Sequence, residues 1–171
     1  AGRCPVIASN RRIGKAFARR AEALGMSIAY FGRRRQADVA YPYYGDLVAL
    51  AGDVDVLVLT CPGGAETRGL VNAAVLAALG PDGWLVNVAR GSVCDEPALV
   101  DALVNRRIAG AALDVFADEP NVPEALLGLD NGVLQPPAAS ATTETRDAMA
   151  QLVVDNLAAH FAGKPLLTQV K

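Results

Sequence analysis

Short apolar runs alternate with helical patterns along the whole chain, and this alternation restricts the fold more than any other feature. Alternation of this kind is typical of βαβ units, which build a parallel sheet with helices on both faces. We therefore predict an α/β fold with a doubly wound parallel sheet, in a single three-layer domain over residues 1–171. The predicted strands are 6–8, 26–31, 54–59, 84–88, 109–113 and 132–134, and the predicted helices are 13–24, 72–79, 96–105 and 143–161.

The composition excludes several classes of partner. The formal net charge is −2 over 171 residues, and without a broad excess of Lys and Arg we expect no nucleic-acid partner. Because no apolar run approaches the roughly 18 residues of a membrane span and no secretory leader opens the chain, we expect a cytoplasmic protein without a membrane partner. The three cysteines lack the spacing of a metal site, so no metal is predicted.

The turn after the first predicted strand is where a dinucleotide-binding fold holds its phosphate-binding glycines. Such a turn needs one glycine for the tight bend and a second so that the backbone can reach the pyrophosphate. Ser9 and Arg11 stand at those positions here, and only Gly14 remains of the three glycines. We expect the Arg11 side chain to stand where the pyrophosphate would lie; alternatively it swings outward and offers a cation to the phosphates. The helix N-terminus behind it attracts anions in either case.

Three arginines follow the second predicted strand. A carboxylate in this place would accept hydrogen bonds from the ribose 2′-hydroxyl of NAD, whereas Arg33 and Arg34 suit the 2′-phosphate of NADP by charge and by bidentate geometry. A solvated basic loop is the alternative interpretation. The position directly after the second strand favours the phosphate interpretation, and so favours NADP over NAD.

Two strings, Asn87 to Gly91 and Leu113 to Pro120, carry a resemblance to a known family. Together with residues 12–16 they resemble the coenzyme-binding domain of the D-2-hydroxyacid dehydrogenases, especially the glyoxylate/hydroxypyruvate reductase branch, over residues 2–171. The resemblance implies a Rossmann-like fold that binds NADP or NAD. With the arginines discussed above, the cofactor-binding residues are then Arg12, Ile13, Gly14, Arg33, Arg34, Cys61, Pro62, Thr67, Val88, Ala89, Arg90 and Asp114.

The resemblance also implies catalytic roles. It places Arg90 on the carboxylate and carbonyl of a 2-oxo acid, Asp114 near the nicotinamide end, and Glu119 beside a catalytic histidine that it orients. Pro137 stands where the family has that histidine, and proline cannot transfer a proton. We also expect the family's substrate domain to be absent, because the chain starts almost at its first strand.

Three readings of the function remain open. Residues 4–11 and 135–139 both depart from the family, and because both adjoin the ligand-binding edge of the sheet we expect them to be neighbours around one crevice. Coordinated change there indicates an engineered, catalytically inactive scaffold, remodelled for a designed ligand or protein partner. The alternative is an NAD(P)-binding module or a fragment of a glyoxylate/hydroxypyruvate reductase, and a third reading is an active oxidoreductase domain with an unexpected proton donor. The resemblance implies a homodimer in each case.

Overall fold

Seven parallel strands form one sheet in the computed structural model, which describes residues 4–7, 12–135 and 141–169. The strands alternate with helices along the chain, as the sequence predicts. The strands are β1 (Cys4–Ile7), β2 (Ala29–Phe31), β3 (Tyr43–Tyr44), β4 (Val54–Leu59), β5 (Trp84–Asn87), β6 (Gly110–Leu113) and β7 (Gly132–Leu134). The helices are α1 (Arg12–Ala23), α2 (Leu47–Gly52), α3 (Ala73–Leu79), α4 (Glu96–Val104), α5 (Glu124–Leu127) and α6 (Thr143–Phe161).

The strand order in the sheet is β3-β2-β1-β4-β5-β6-β7. The chain runs outward from β1 to β3 and then crosses back to β4, which pairs with the other side of β1. This reversal is the switch point of a doubly wound sheet, where the loops at the carboxyl ends of the strands separate and leave a crevice. The predicted fold class is therefore confirmed, and the crevice must lie beside the loops that follow β1, β2 and β4.

The prediction of six strands was wrong by one, and two short helices, α2 and α5, were also missed. β3 has only the two residues Tyr43 and Tyr44, which is too short to show a strand period. α2 has six residues, and its buried face consists of Leu47, Leu50 and Ala51. The side chain of Asp46 caps this helix by accepting hydrogen bonds from the N–H groups of residues 48 and 49. A capping residue followed by apolar positions at helical spacing was therefore the signal that could have found it.

The apolar core lies on both faces of the sheet. Ile28 packs with Ala18 and Ala21 of α1, whereas its neighbour Ala29 belongs to a larger cluster formed with α2, α3 and α4. Ile28 directly precedes β2, and because successive side chains of extended backbone point to opposite faces, α1 covers one face of the sheet and α2, α3 and α4 cover the other. These are the three layers expected from the sequence.

The described residues after 140 form a separate compact unit. Its helix α6 begins at Thr143 and is capped by Thr142, whose hydroxyl accepts a hydrogen bond from the N–H of Thr145. Asn156 holds the segment that follows the helix, because its amide group donates to the hydroxyl of Thr168 and accepts from the N–H of the same residue. The prediction of one domain over residues 1–171 stays a prediction. Within the described ranges, no helix is long and apolar enough to cross a membrane.

Candidate functional site

A cleft of about 920 Å³ opens at the carboxyl edge of the sheet, between the loop after β2 and the loop after β4. The structure brings five of the predicted cofactor-binding residues together here: Arg33, Arg34, Cys61, Pro62 and Thr67. Three glycines, Gly32, Gly63 and Gly64, also line the cleft and leave backbone exposed to it. Its volume lies in the range of small-molecule sites, and its two guanidinium groups suit an anionic ligand.

Thr67 fixes the shape of the loop after β4. Its hydroxyl donates to the carbonyl oxygen of Pro62 at 2.7 Å, and its N–H donates to the carbonyl oxygen of Gly64 at 3.2 Å. Further along, the N–H groups of Gly69 and Val71 donate to the loop after β5. Hydrogen bonds thus fix this wall of the cleft within its own loop and to the loop after the neighbouring strand β5.

Two tyrosines organise the opposite wall, the loop after β2. The hydroxyl of Tyr43 donates to the carbonyl oxygen of Gly32 at 2.9 Å, and the hydroxyl of Tyr30 accepts from the N–H of Gln36 at 2.8 Å. Arg33 extends from this loop and meets Glu66 of the other wall, with 2.5 Å between Nη1 and Oε2. Arg34 takes part in no ion pair with any residue that the structure describes.

Asn87, the last residue of β5, shapes the loop that contains Val88, Ala89 and Arg90. Its side chain is 1% exposed. Nδ2 donates to the carbonyl oxygen of Arg90 at 3.1 Å, and Oδ1 accepts from the N–H of Ala89 at 3.0 Å. This hydrogen-bonding role of Asn87 in the loop was not predicted from the sequence. A polar residue that ends an otherwise apolar strand was the available signal, because a buried amide must be hydrogen bonded.

The Arg90 side chain folds over the loop after β4. A Cβ added to Gly63 would lie 2.8 Å from Cγ of Arg90, so the aliphatic part of Arg90 lies directly on this glycine. The guanidinium donates to the carbonyl oxygen of Ala89 at 2.6 Å. Arg90 is therefore held by uncharged groups, and its charge is available to an anionic ligand.

Glu119 lies on the loop after β6, which packs against the Arg90 loop. One carboxylate oxygen of Glu119 accepts a hydrogen bond from the N–H of Phe116 at 3.0 Å. Glu96, at the start of α4, accepts from the N–H of Ala117 at 3.0 Å. Gly91 touches the same backbone segment. The structure thus brings the loops of Arg90 and Glu119 together, and Glu96 is a supporting residue that the sequence analysis missed.

The remaining predicted residues are spread along the same edge. Arg12, Ile13 and Gly14 form the first turn of α1, where Gly14 is buried and Ile13 is 66% exposed. Asp114 follows β6 and is half-buried, and its N–H donates to the carbonyl oxygen of Asn87 at 3.0 Å. Pro137, the position expected to hold the histidine, lies outside the described residues.

The prediction that residues 4–11 and 135–139 are neighbours around one crevice stays a prediction, because residues 8–11 and 136–139 lie outside the described residues. β1 and β7 both end at the ligand-binding edge, with β4, β5 and β6 between them. Four strand spacings of about 4.8 Å separate the ends of these two strands by about 19 Å.

Two cysteine thiols of the site region are buried, those of Cys61, which lines the cleft, and Cys94. Burial raises the pKa of Cys61, and burial raises the pKa of Cys94 to about 12. Both thiols are therefore protonated at neutral pH and are poor nucleophiles. In the part of the chain that is described, no group of His, Cys, Asp and Glu side chains could hold a metal ion.

A parallel sheet in this order, with an arginine-lined cleft at its switch point, defines a dinucleotide-binding domain of the Rossmann type. The family model described as D-isomer specific 2-hydroxyacid dehydrogenase, NAD binding domain, matches residues 6–139. The chain belongs to this family, and the resemblance inferred from the sequence is confirmed.

Several characterised relatives are reductases of different 2-oxo acids. The chain is 55% identical to hydroxyphenylpyruvate reductase of Plectranthus scutellarioides over 159 residues, which are 93% of this chain and 51% of that protein. It is 51% identical to 2-ketogluconate reductase of Gluconobacter oxydans over 164 residues, 96% of this chain and 53% of that protein. The chain therefore spans about half the length of these relatives.

A solved structure gives the same result. The crystal structure of an NADPH-dependent glyoxylate/hydroxypyruvate reductase from Sinorhizobium meliloti, in complex with NADP and malonate, has a TM-score of 0.95 and 53% sequence identity. The match covers 99% of this chain and 53% of that chain. Together these comparisons support the hypothesis that the chain is part of a reductase better than the hypothesis that it is an engineered scaffold.

Proposed function

We propose that this chain is the NADP(H)-binding part of a reductase that acts on small 2-oxo acids of the glyoxylate/hydroxypyruvate class. The observation that carries the proposal is the cleft at the switch point, with Arg33 and Arg34 on the wall where an NAD-specific domain would place a carboxylate. The donor set fits the cofactor, because guanidinium groups bind phosphate bidentately. The relatives' coenzyme and substrates support the same assignment.

In this proposal the residues of the cleft would hold the adenosine end of the cofactor, and the loops after β5 and β6 would hold the nicotinamide end. NADPH, when bound, supplies the hydride. Arg90 binds the carboxylate of the acid and polarises the carbonyl that accepts the hydride. Glu119, at the neighbouring loop, stands where it can hold and orient a proton-donating group. Position 137 carries a proline, so we propose that the chain binds nucleotide with little turnover of its own.

The proposal is tested by calorimetric titration with NADPH and NADH. We expect NADPH to bind more tightly than NADH, and Arg34→Gln to weaken NADPH by about tenfold while NADH changes little. Arg107→Gln is a matched control, because Arg107 is an exposed, ion-paired arginine that precedes β6 and so lies at the opposite edge of the sheet. Failure of both nucleotides to bind would refute the proposal.

The finer parts of the sequence-based hypothesis stay predictions. They are the engineered remodelling of the crevice, a designed ligand or protein partner, the homodimer and the cytoplasmic location. Hydroxypyruvate-dependent loss of NADPH absorbance, measured on this chain, checks the expected lack of turnover directly. Rapid oxidation of NADPH would show that another group replaces the histidine.

A further inference from the structure

The ion pair between Arg33 and Glu66 crosses the mouth of the cleft. Arg33 comes from the loop after β2 and Glu66 from the short 3₁₀ turn at Ala65–Thr67 in the loop after β4. Both residues line the cleft, and their side chains are 70% and 72% exposed. The two walls of the cleft are therefore joined by a contact that solvent reaches and that a ligand can break.

The same contact places a carboxylate beside a cation that suits a phosphate. The Glu66 carboxylate pairs with the Arg33 guanidinium, and a phosphate would bind the same guanidinium with similar charge and geometry. A nucleotide with a 2′-phosphate must displace this carboxylate, and the carboxylate then repels the phosphate. A nucleotide with a 2′-hydroxyl carries no such charge and leaves the ion pair intact, since a hydroxyl donates to a carboxylate.

Resting on the proposed function, we propose that Glu66 is a specificity-determining residue that competes with the 2′-phosphate for Arg33. Glu66 lowers the affinity for NADP(H) but not the affinity for NAD(H). The preference of the cleft for NADP(H) over NAD(H) is therefore smaller than it would be without this carboxylate. Arg34, which is not ion paired to a described residue, keeps a cation available when Arg33 is held. The cleft is thereby open to both dinucleotides.

The size of the effect follows from the exposure of the pair. Exposed ion pairs contribute little, so displacement of Glu66 should change affinity by about two- to fivefold. Because screening by salt weakens such contacts, the effect should shrink as ionic strength rises. A purely structural role of Glu66 would change all nucleotides alike and would show no such dependence.

The test is calorimetric titration with 2′,5′-ADP and with 5′-AMP, which differ only in the 2′-phosphate. Glu66→Gln should bind 2′,5′-ADP about two- to fivefold more tightly than the unaltered chain, without a gain for 5′-AMP. In the Arg33→Gln background the gain from Glu66→Gln should be smaller, because the competition for Arg33 is gone and only the direct repulsion between Glu66 and the phosphate remains. Asp130→Asn is the matched control, since it removes an exposed ion pair to Arg106 near β7.

The outcomes separate this inference from the proposed function. If NADPH binds the unaltered chain but Glu66→Gln leaves the affinity for 2′,5′-ADP unchanged, the inference is overturned and the function stands. An equal gain for both probes would also overturn it. If neither NADPH nor NADH binds any variant, the proposed function fails and the inference fails with it. Circular dichroism of Glu66→Gln confirms that the fold is intact before titration.

Discussion

Gly91 lies directly against the backbone of Phe116. A Cβ added to Gly91 would be 1.9 Å from both the carbonyl carbon and the carbonyl oxygen of Phe116. No side chain fits between Gly91 and Phe116. The contact at Phe116 is backbone, which cannot rotate away as a flexible side chain could. The loop of Arg90 and the loop of Glu119 are held at a fixed distance by this one position.

Gly91→Ala should therefore destabilise the domain. The added methyl group must push the Phe116 backbone away, and we expect the free energy of unfolding to fall by about 3 kcal/mol, the upper end of the cost of overpacking. Urea unfolding followed by circular dichroism measures this. Gly128→Ala is the control, because nothing lies within 4 Å of a Cβ at that glycine. Equal stability of the two variants would mean that the Gly91 contact is not tight in solution.

Asn87→Ala should also be destabilising, but for a different reason. It removes the amide that binds the N–H of Ala89 and the carbonyl oxygen of Arg90, so buried polar groups lose their partners. We expect a loss of about 2 kcal/mol in urea unfolding. Asn105→Ala, at the exposed end of α4, is the control and should lower the free energy of unfolding by less than about 1 kcal/mol. A similar loss at both positions would contradict a special role for Asn87.

Cys94 should make the stability depend on alkaline pH. Because the pKa of Cys94 is raised from 9.0 to about 12 by burial, its contribution is fully present below 9.0 and is lost as pH rises toward 12. The unfolded chain releases the thiol proton first, so the free energy of unfolding should fall by up to ~1.4 kcal/mol per pH unit. Urea unfolding across this range, compared with Cys94→Ala, isolates the thiol. Parallel curves for the two proteins would rule the effect out.

The double variant Ser9→Gly and Arg11→Gly should bind NADPH more tightly than the unaltered chain. Two glycines restore the tight bend and the close approach of backbone to pyrophosphate that this turn requires, and we expect a gain of about tenfold. Titration with 2′-AMP is the control, since it lacks the pyrophosphate and should bind both proteins alike. Unchanged NADPH affinity would show that Arg11 offers a cation instead of blocking the site.

The sequence predicted the helices and strands that are long enough to show an apolar pattern. The strands from 54–59 onward are apolar runs, and α1 has a clear apolar face. Gly25, Gly80 and Gly163 follow three helices with positive φ, which a glycine adopts without strain. The elements that were missed, β3, α2 and α5, are too short for a period to develop. The strand order itself, which places β4, β5 and β6 between β1 and β7, could not be predicted from these patterns.

Within the site, the residue types suggest roles for individual side chains, but they do not predict which side chains are in contact. The arginines after β2 and the string around Arg90 could be placed on the correct loops from the sequence. Glu66 and Glu96 could not be singled out, because a carboxylate in a loop looks the same whether it is solvated or bound to the next loop. Only the fold shows that Glu66 meets Arg33 across 33 positions of sequence.

The loop at 61–67 touches both ends of the site, since Glu66 meets Arg33 and Gly63 lies under Arg90. If the proposed roles of Arg33 and Arg90 hold, the coenzyme and the acid both constrain this single short stretch of chain. A lineage that changes its dinucleotide through this loop would then also have to accommodate Arg90. On the proposed function, coenzyme choice and acid choice should thus evolve together here, not one at a time.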